Sequence, residues 1–165
     1  MTGPAFTTLL VPTDFSQGAA AAVEYALWLA GRTHATVIFF HVMEPTVYSV
    51  DFALTRPDLS AEVRERAQDV LRQLVEEARG RGIPADQAVA VGAPFAEIRK
   101  AAADRRVDLI VMGTHGRTGA AHVVLGSTAE RVVRLAPCPV LTVKASGKST
   151  TGTPASADPA ASRNR

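Results

Sequence analysis

The sequence predicts an α/β fold built on one open, five-stranded parallel sheet with helices on both faces. Three observations carry that reading. Five short runs are rich in β-branched residues and almost continuously apolar, as strands buried on both faces are. Longer segments with apolar residues at 3.6-residue spacing separate them. The two kinds alternate as β-α-β-α-β-α-β-α-β, an order that implies parallel strands joined by right-handed helical crossovers.

The strands are expected at Thr8–Pro12, Thr36–Val42, Gln87–Val91, Asp108–Met112 and Pro139–Val143. Ser16 is placed to cap a first helix with Ala22, Val23, Ala26, Leu27 and Ala30 inward and Gly31 as its stop. Ser60 is placed to cap a second, carrying Val63, Ala67, Val70, Leu71, Leu74, Val75 and Ala78 on one face and closing at Gly80 and Gly82. A third starts after Gly92 with Pro94 in its first turn and turns Ile98, Ala101 and Ala102 inward. A fourth follows Gly126, where Ser127 and Glu130 stand at capping-box spacing before Val132, Val133 and Leu135.

A chain of 165 residues suits one domain. The expected division is a folded domain over 1–144 and a disordered tail over 145–165, where alanine is the only apolar side-chain type and cannot offset the entropy of ordering. Met43–Asp58 holds Pro45 and Pro57 without a clear period and reads as a long loop. A net charge of +2 gives no strong attraction to nucleic acid or an anionic membrane. The single cysteine, Cys138, excludes an internal disulfide and reads as a small core residue. With no basic-then-apolar leader and no apolar run near ~20 residues, the expected compartment is the cytoplasm.

In an open parallel sheet, ligands bind beyond the carboxyl ends of the strands. Strand one is followed by Val11-Pro12-Thr13-Asp14-Phe15-Ser16. Strand four is followed by Gly113-Thr114-His115-Gly116, nine residues, then Gly126-Ser127-Thr128. The second stretch has the parts a triphosphate needs. Gly113 permits close approach, and Gly116 permits a sharp turn or a positive φ. The amides of Ser127 and Thr128 lie at a helix N-terminus, where the dipole favours an anion. Their hydroxyls can meet phosphate oxygens or a phosphate-bound cation, and His115 and Arg117 are placed to face the same charge. Taken alone, two such glycines are also ordinary punctuation between a strand and a capped helix.

The spacing Gly113-x2-Gly116-x9-Gly126-Ser127 resembles the nucleotide-binding signature of the universal stress protein family, in its ATP-binding branch. Val11–Ser16, Phe40-His41-Val42, Val91-Gly92-Ala93-Pro94, Asp108–Gly113 and Cys138–Val143 resemble that family's strand ends in order, so the likeness spans about Thr8 to Lys144. It implies a Rossmann-like domain of the adenine nucleotide alpha hydrolase type. It implies that Asp14 hydrogen-bonds the ribose or the adenine side, that Pro12 and Thr13 line the base pocket, and that Val42 offers backbone groups to the adenine edge. Met112 would pack near the base or sugar. Gly113, Gly116, Gly126, Ser127 and Thr128 would hold the phosphates, bridged by a divalent cation, Mg2+. The resemblance further implies a homodimer through the last strand, Pro139–Val143, an exposed edge that a second copy could cover.

Other features weigh less. Ser146-Gly147-Lys148-Ser149-Thr150 looks like the end of a P-loop, but Thr142 stands where its first glycine belongs and no helix pattern follows. His34, His41, His115 and His122 lack metal-ligand spacing. Tyr25 and Trp28 read as packing residues, and Asp14 and Ser16 also suit plain capping. No nucleophile elbow, triad or carboxylate pair stands out. The expected function is an ATP-binding stress-response switch with unidentified protein partners and at most slow hydrolysis. A slow or autophosphorylating ATPase and a nucleotide-free dimeric scaffold are the alternatives, and the fold alone also admits an electron-transfer flavoprotein.

Overall fold

The computed structural model describes residues 6–44, 57–116 and 125–145, with 57–60 as backbone only. Five strands run β1 (Thr8–Pro12), β2 (Thr36–Met43), β3 (Ala85–Val91), β4 (Leu109–Gly113) and β5 (Val140–Val143). Among the described residues four helices alternate with them: α1 (Gln17–Thr33), α2 (Pro57–Gly80), α3 (Pro94–Asp104) and α4 (Ser127–Leu135). All strand pairs are parallel, in the order β3-β2-β1-β4-β5.

Strand periodicity divides the core between the two faces. Leu9, Val11, Val37, Phe39, Leu109 and Val111 pack with α1 and α2 on one face. Leu10, Ile38, Phe40, Ile110 and Met112 pack with α3 and α4 on the other. The three central strands are therefore apolar at consecutive positions, which is why the sequence showed runs and not alternation. The chain lays down β1, β2 and β3 in one direction, then crosses back to place β4 on the far side of β1. That reversal leaves a crevice at the carboxyl ends of β1 and β4.

Several helix ends differ from the expectation. α1 runs through Gly31, whose absent side chain faces open space, and stops at His34 in the left-handed conformation (φ 57°), with the His34 N–H on the Ala30 carbonyl. α2 begins at Pro57, not after Ser60, since proline suits a first helical position. Met43 ends β2 and Pro57 and Asp58 are helical, so the expected Met43–Asp58 loop is trimmed at both ends, and its residues 45–56 lie outside the described residues. The buried stripe of α2 is narrower than the pattern implied: Ala67, Leu71, Val75 and Ala78 are buried, while Val63 and Val70 are exposed. In α4 the cap is Gly126, with no side-chain capping bond, so Ser127 and Glu130 form no capping box. Ala129 and Val132 are buried there, and Val133 and Leu135 are exposed. Tyr25 and Trp28 also lie on the surface, about half exposed, their ring centroids 5.4 Å apart with the Arg32 guanidinium over the indole. Cys138 is half-buried against the α3–α4 core, and burial raises its thiol pKa.

The start of β1 is tied to the start of β4 through Asp108. Its carboxylate accepts from the Thr7 hydroxyl at 2.6 Å and from the Thr7 and Thr8 amides at 2.9 Å. Those bonds, the Thr7 hydroxyl foremost, lower its pKa below the ordinary value. A depressed carboxylate stabilises the fold fully above its unfolded pKa, and that contribution fades as pH falls through the folded value. Asp108→Asn should therefore cost about 1 kcal/mol at pH 7. Denaturant melts should show the two proteins converging below about pH 4; a gap independent of pH contradicts the charged role.

Candidate functional site

The loop after β1 is wound by its own side chains. The Thr13 hydroxyl accepts from the Phe15 amide at 3.1 Å, the Asp14 carboxylate from the Ser16 amide at 3.0 Å, and the Ser16 hydroxyl from the Ala19 amide at 3.2 Å. These are the short turns that Asp, Ser and Thr make with nearby backbone. Ser16 does cap α1, as expected. Thr13 is buried, and its amide donates to the Phe40 carbonyl at 2.8 Å. Phe15 adopts a left-handed backbone (φ 63°), which costs a non-glycine residue about 1–3 kcal/mol. Its ring stacks on His41, centroids 4.5 Å apart, and His41 Nδ1 lies 2.8 Å from the Thr13 carbonyl.

The loop after β4 is shaped by close backbone approach. A side chain at Gly113 would lie 2.8 Å from the Gly18 carbonyl oxygen, and one at Gly18 would lie 2.6 Å from that of His115. The first turn of α1 therefore packs backbone to backbone on the Gly113–Gly116 segment. The Thr114 amide donates to Val143 at 3.0 Å, and its carbonyl accepts from the Gly126 amide at 2.8 Å. That second bond joins both ends of the glycine loop across the intervening residues. Gly116 has no left-handed φ, the second of the two roles expected of it; an added Cβ there would sit 2.5 Å from Asp14 Oδ2, the far end of a side chain. The loops from β1 and β4 meet at that point.

Between them lies a cleft of about 220 Å³. Pro12, Thr13 and Asp14 line it from β1, and Val42 from β2. Met112, Gly113, His115 and Gly116 line it from β4, and Gly126, Ser127 and Thr128 from the start of α4. Every residue proposed from the sequence is in this cleft except Arg117, which lies outside the described residues, as does His122. The sequence reading missed others. Phe40 shares the cleft-lining side of β2 with Val42, as period-two alternation requires, and Glu44 lines the cleft just past the strand's end. Pro94, Ile98 and Ala129 close it from α3 and α4. Gly18 was also missed, although a glycine in the first turn of a helix is itself a signal, because it is poor in helices.

The electrostatics are divided. The amides at the start of α4 favour an anion, reinforced by the helix dipole. Two acidic residues, Asp14 and Glu44, also line the cleft, and carboxylates accept from hydroxyl or amine donors. His115 Nδ1 lies 3.0 Å from the Thr114 hydroxyl. Among the described residues no three His, Cys, Asp or Glu side chains cluster to hold a metal. Among them, too, no helix is long and apolar enough to cross a membrane.

Comparison with known proteins agrees with this fold. The universal stress protein family pattern matches residues 5–144. A universal stress protein of Methanocaldococcus jannaschii, MJ0531, is 34% identical over 140 residues, covering 84% of this chain and 82% of its own. The solved structure of MJ0577, described as a hypothetical protein, superposes with a TM-score of 0.79 at 30% identity, over 88% of this chain and 100% of that one. A universal stress protein solved in complex with cAMP superposes at 0.65 with 26% identity, over 87% of this chain and 100% of that one. The chain belongs to the universal stress protein family.

Proposed function

We propose that this chain is an ATP-binding regulatory protein of the stress response. The convergence of the Asp14 loop and the Gly113–Thr128 loop on one cleft carries the reading. Its two chemistries match a nucleotide. The α4 amides and the Ser127 and Thr128 hydroxyls would hold phosphates, and Asp14 would accept from ribose hydroxyls. Pro12, Thr13, Val42 and Met112 would surround the base. Gly113, Gly116 and Gly126 let the loops close on one another around the cleft, since an added Cβ would meet Gly18, Asp14 and Thr114 respectively. Mg2+ would supply charge neutralisation at the phosphates, with the Ser127 and Thr128 hydroxyls as the groups that would meet it. A relative solved with cAMP supports a nucleotide as the ligand class. Cytoplasmic location and a homodimer complete the proposal; β5 stands at the sheet edge, half-buried, with β4 on one side only among the described strands.

Regulation would come from ATP favouring one arrangement of the loops around the cleft, a population shift that requires different ATP affinities in the two states. The segment from Met43 to Asp58 follows Val42 in the sequence, and Glu44 within it lines the cleft. Limited proteolysis should cut this segment in the free protein, and ATP with Mg2+ should slow the cut about tenfold or more, the factor expected if bound ATP leaves under a tenth of molecules open. Cleavage unchanged at saturating ATP removes the switch.

A further inference from the structure

We infer that His41 is a positioning residue that sets Asp14 for the ribose of the bound nucleotide, and thereby sets the preference for ribose over deoxyribose. This rests on the nucleotide reading above and extends it to a residue outside the cleft lining.

His41 lies on β2 between Phe40 and Val42, so its side chain leaves the strand on the side opposite theirs. The β1–β2 register pairs Pro12 with Phe40, which brings His41 level with Thr13. Two contacts follow. The Thr13 carbonyl can only accept, so the 2.8 Å contact to His41 Nδ1 is a bond donated by the ring. The ring face meets Phe15 at 4.5 Å with 25° between planes. One imidazole thus holds the residue before Asp14 and the residue after it.

The need for such a clamp is visible in the backbone. Phe15 has a left-handed φ that a residue with a large side chain leaves unless something retains it. Relaxing φ at Phe15 would swing the peptide that follows Asp14 and release the Ser16 amide from its carboxylate. The Asp14 carboxylate already lies so close to Gly116 that no Cβ fits between. A small rotation there moves the acceptor off any hydroxyl pair it was aimed at, while the α4 end of the cleft, held by Gly126 on Thr114, stays in place.

The two contacts can be separated chemically. In His41→Phe the stacked ring survives and the donor is lost. In His41→Asn the amide nitrogen replaces Nδ1 and the ring is lost. Phe15→Leu, at a position 40% exposed, leaves His41 intact and removes its stacking partner without threatening the fold. The experiment is calorimetric titration of the full chain with ATP and with 2′-deoxy-ATP, each with Mg2+, alongside thermal melts. The wild type should prefer ATP by about tenfold, as for loss of a hydrogen bond to a charged group. His41→Phe should bring that ratio to within about twofold of one, while Phe15→Leu and His41→Asn, which both lose the stack and keep the donor, should each lower it by a smaller amount. A merely structural histidine would lower the melting temperature and leave the ratio unchanged. Wild-type ratios in both His41→Phe and Phe15→Leu, or in Phe15→Leu alone should the histidine variant fail to fold, overturn the inference. A wild type that binds ATP and 2′-deoxy-ATP equally overturns it and leaves the nucleotide reading standing. A wild type that binds neither overturns both.

Discussion

Gly18→Ala should destabilise the protein by about 2 kcal/mol, against the direction that helix propensity alone gives. Glycine costs a helix about 1 kcal/mol relative to alanine, so the substitution in the first turn of α1 should help by that amount. Contact reverses the sign. The new Cβ would lie 2.6 Å from the His115 carbonyl oxygen, a backbone atom on a segment pinned by Thr114 to Val143 and by Gly126 to Thr114. Overpacking against a fixed wall costs roughly 1–3 kcal/mol and more when neither side can yield. Gly31→Ala supplies the control on the same helix, because nothing lies within 4 Å of its added Cβ. It should stabilise by about 0.5–1 kcal/mol. Urea melts of both variants decide the matter; a stabilised Gly18→Ala would show that α1 can move off the β4 loop.

Gly116→Ala should leave stability within about 1 kcal/mol of the wild type and weaken ATP binding by about 10- to 100-fold. Here the added Cβ meets Asp14 Oδ2 at 2.5 Å, the far end of a side chain and not backbone. A carboxylate can rotate away at the expense of its bond to the Ser16 amide, so the fold survives. What is lost is the meeting of the two loops, and with it the position of Asp14 in the cleft. Paired thermal melts and ATP titrations check both halves. An unchanged affinity would mean that the Asp14–Gly116 contact plays no part in the site.

Much of this was legible in the sequence because the responsible residues act locally. The buried runs at Leu9–Val11, Val37–Phe40 and Leu109–Met112 announce strands covered on both sides, and Ser16 announces its helix through a side chain that reaches only three residues on. The glycine spacing put Gly113, Gly116 and Gly126 together before any fold was drawn. What was not legible depends on what packs against what. Gly31 reads as a stop, but a glycine with empty space around it lets a helix pass, and the left-handed cap fell to His34. Val133 and Leu135 read as core because they are apolar, yet α4 turns Ala129 and Val132 inward. Ser127 and Glu130 have capping-box spacing, but the cap falls one residue earlier, on Gly126. What a side chain at Gly116 would meet also lies across the fold, at Asp14, and no local rule supplies it.

The central claim is that ATP occupies the cleft against the start of α4. The most direct test is calorimetric titration of ATP with Mg2+ into the wild type and into Gly126→Ala/Ser127→Ala. An alanine at Gly126 would place its Cβ 3.2 Å from the Thr114 carbonyl oxygen, tight but not prohibitive, so a folded variant is expected. The account predicts micromolar-range binding by the wild type, about −8 kcal/mol, and a loss of roughly tenfold or more in the variant as the helix-end contacts go. A well-folded wild type that takes up no ATP at millimolar concentration would contradict it, leaving the glycine loop a structural element and a nucleotide-free scaffold the better account.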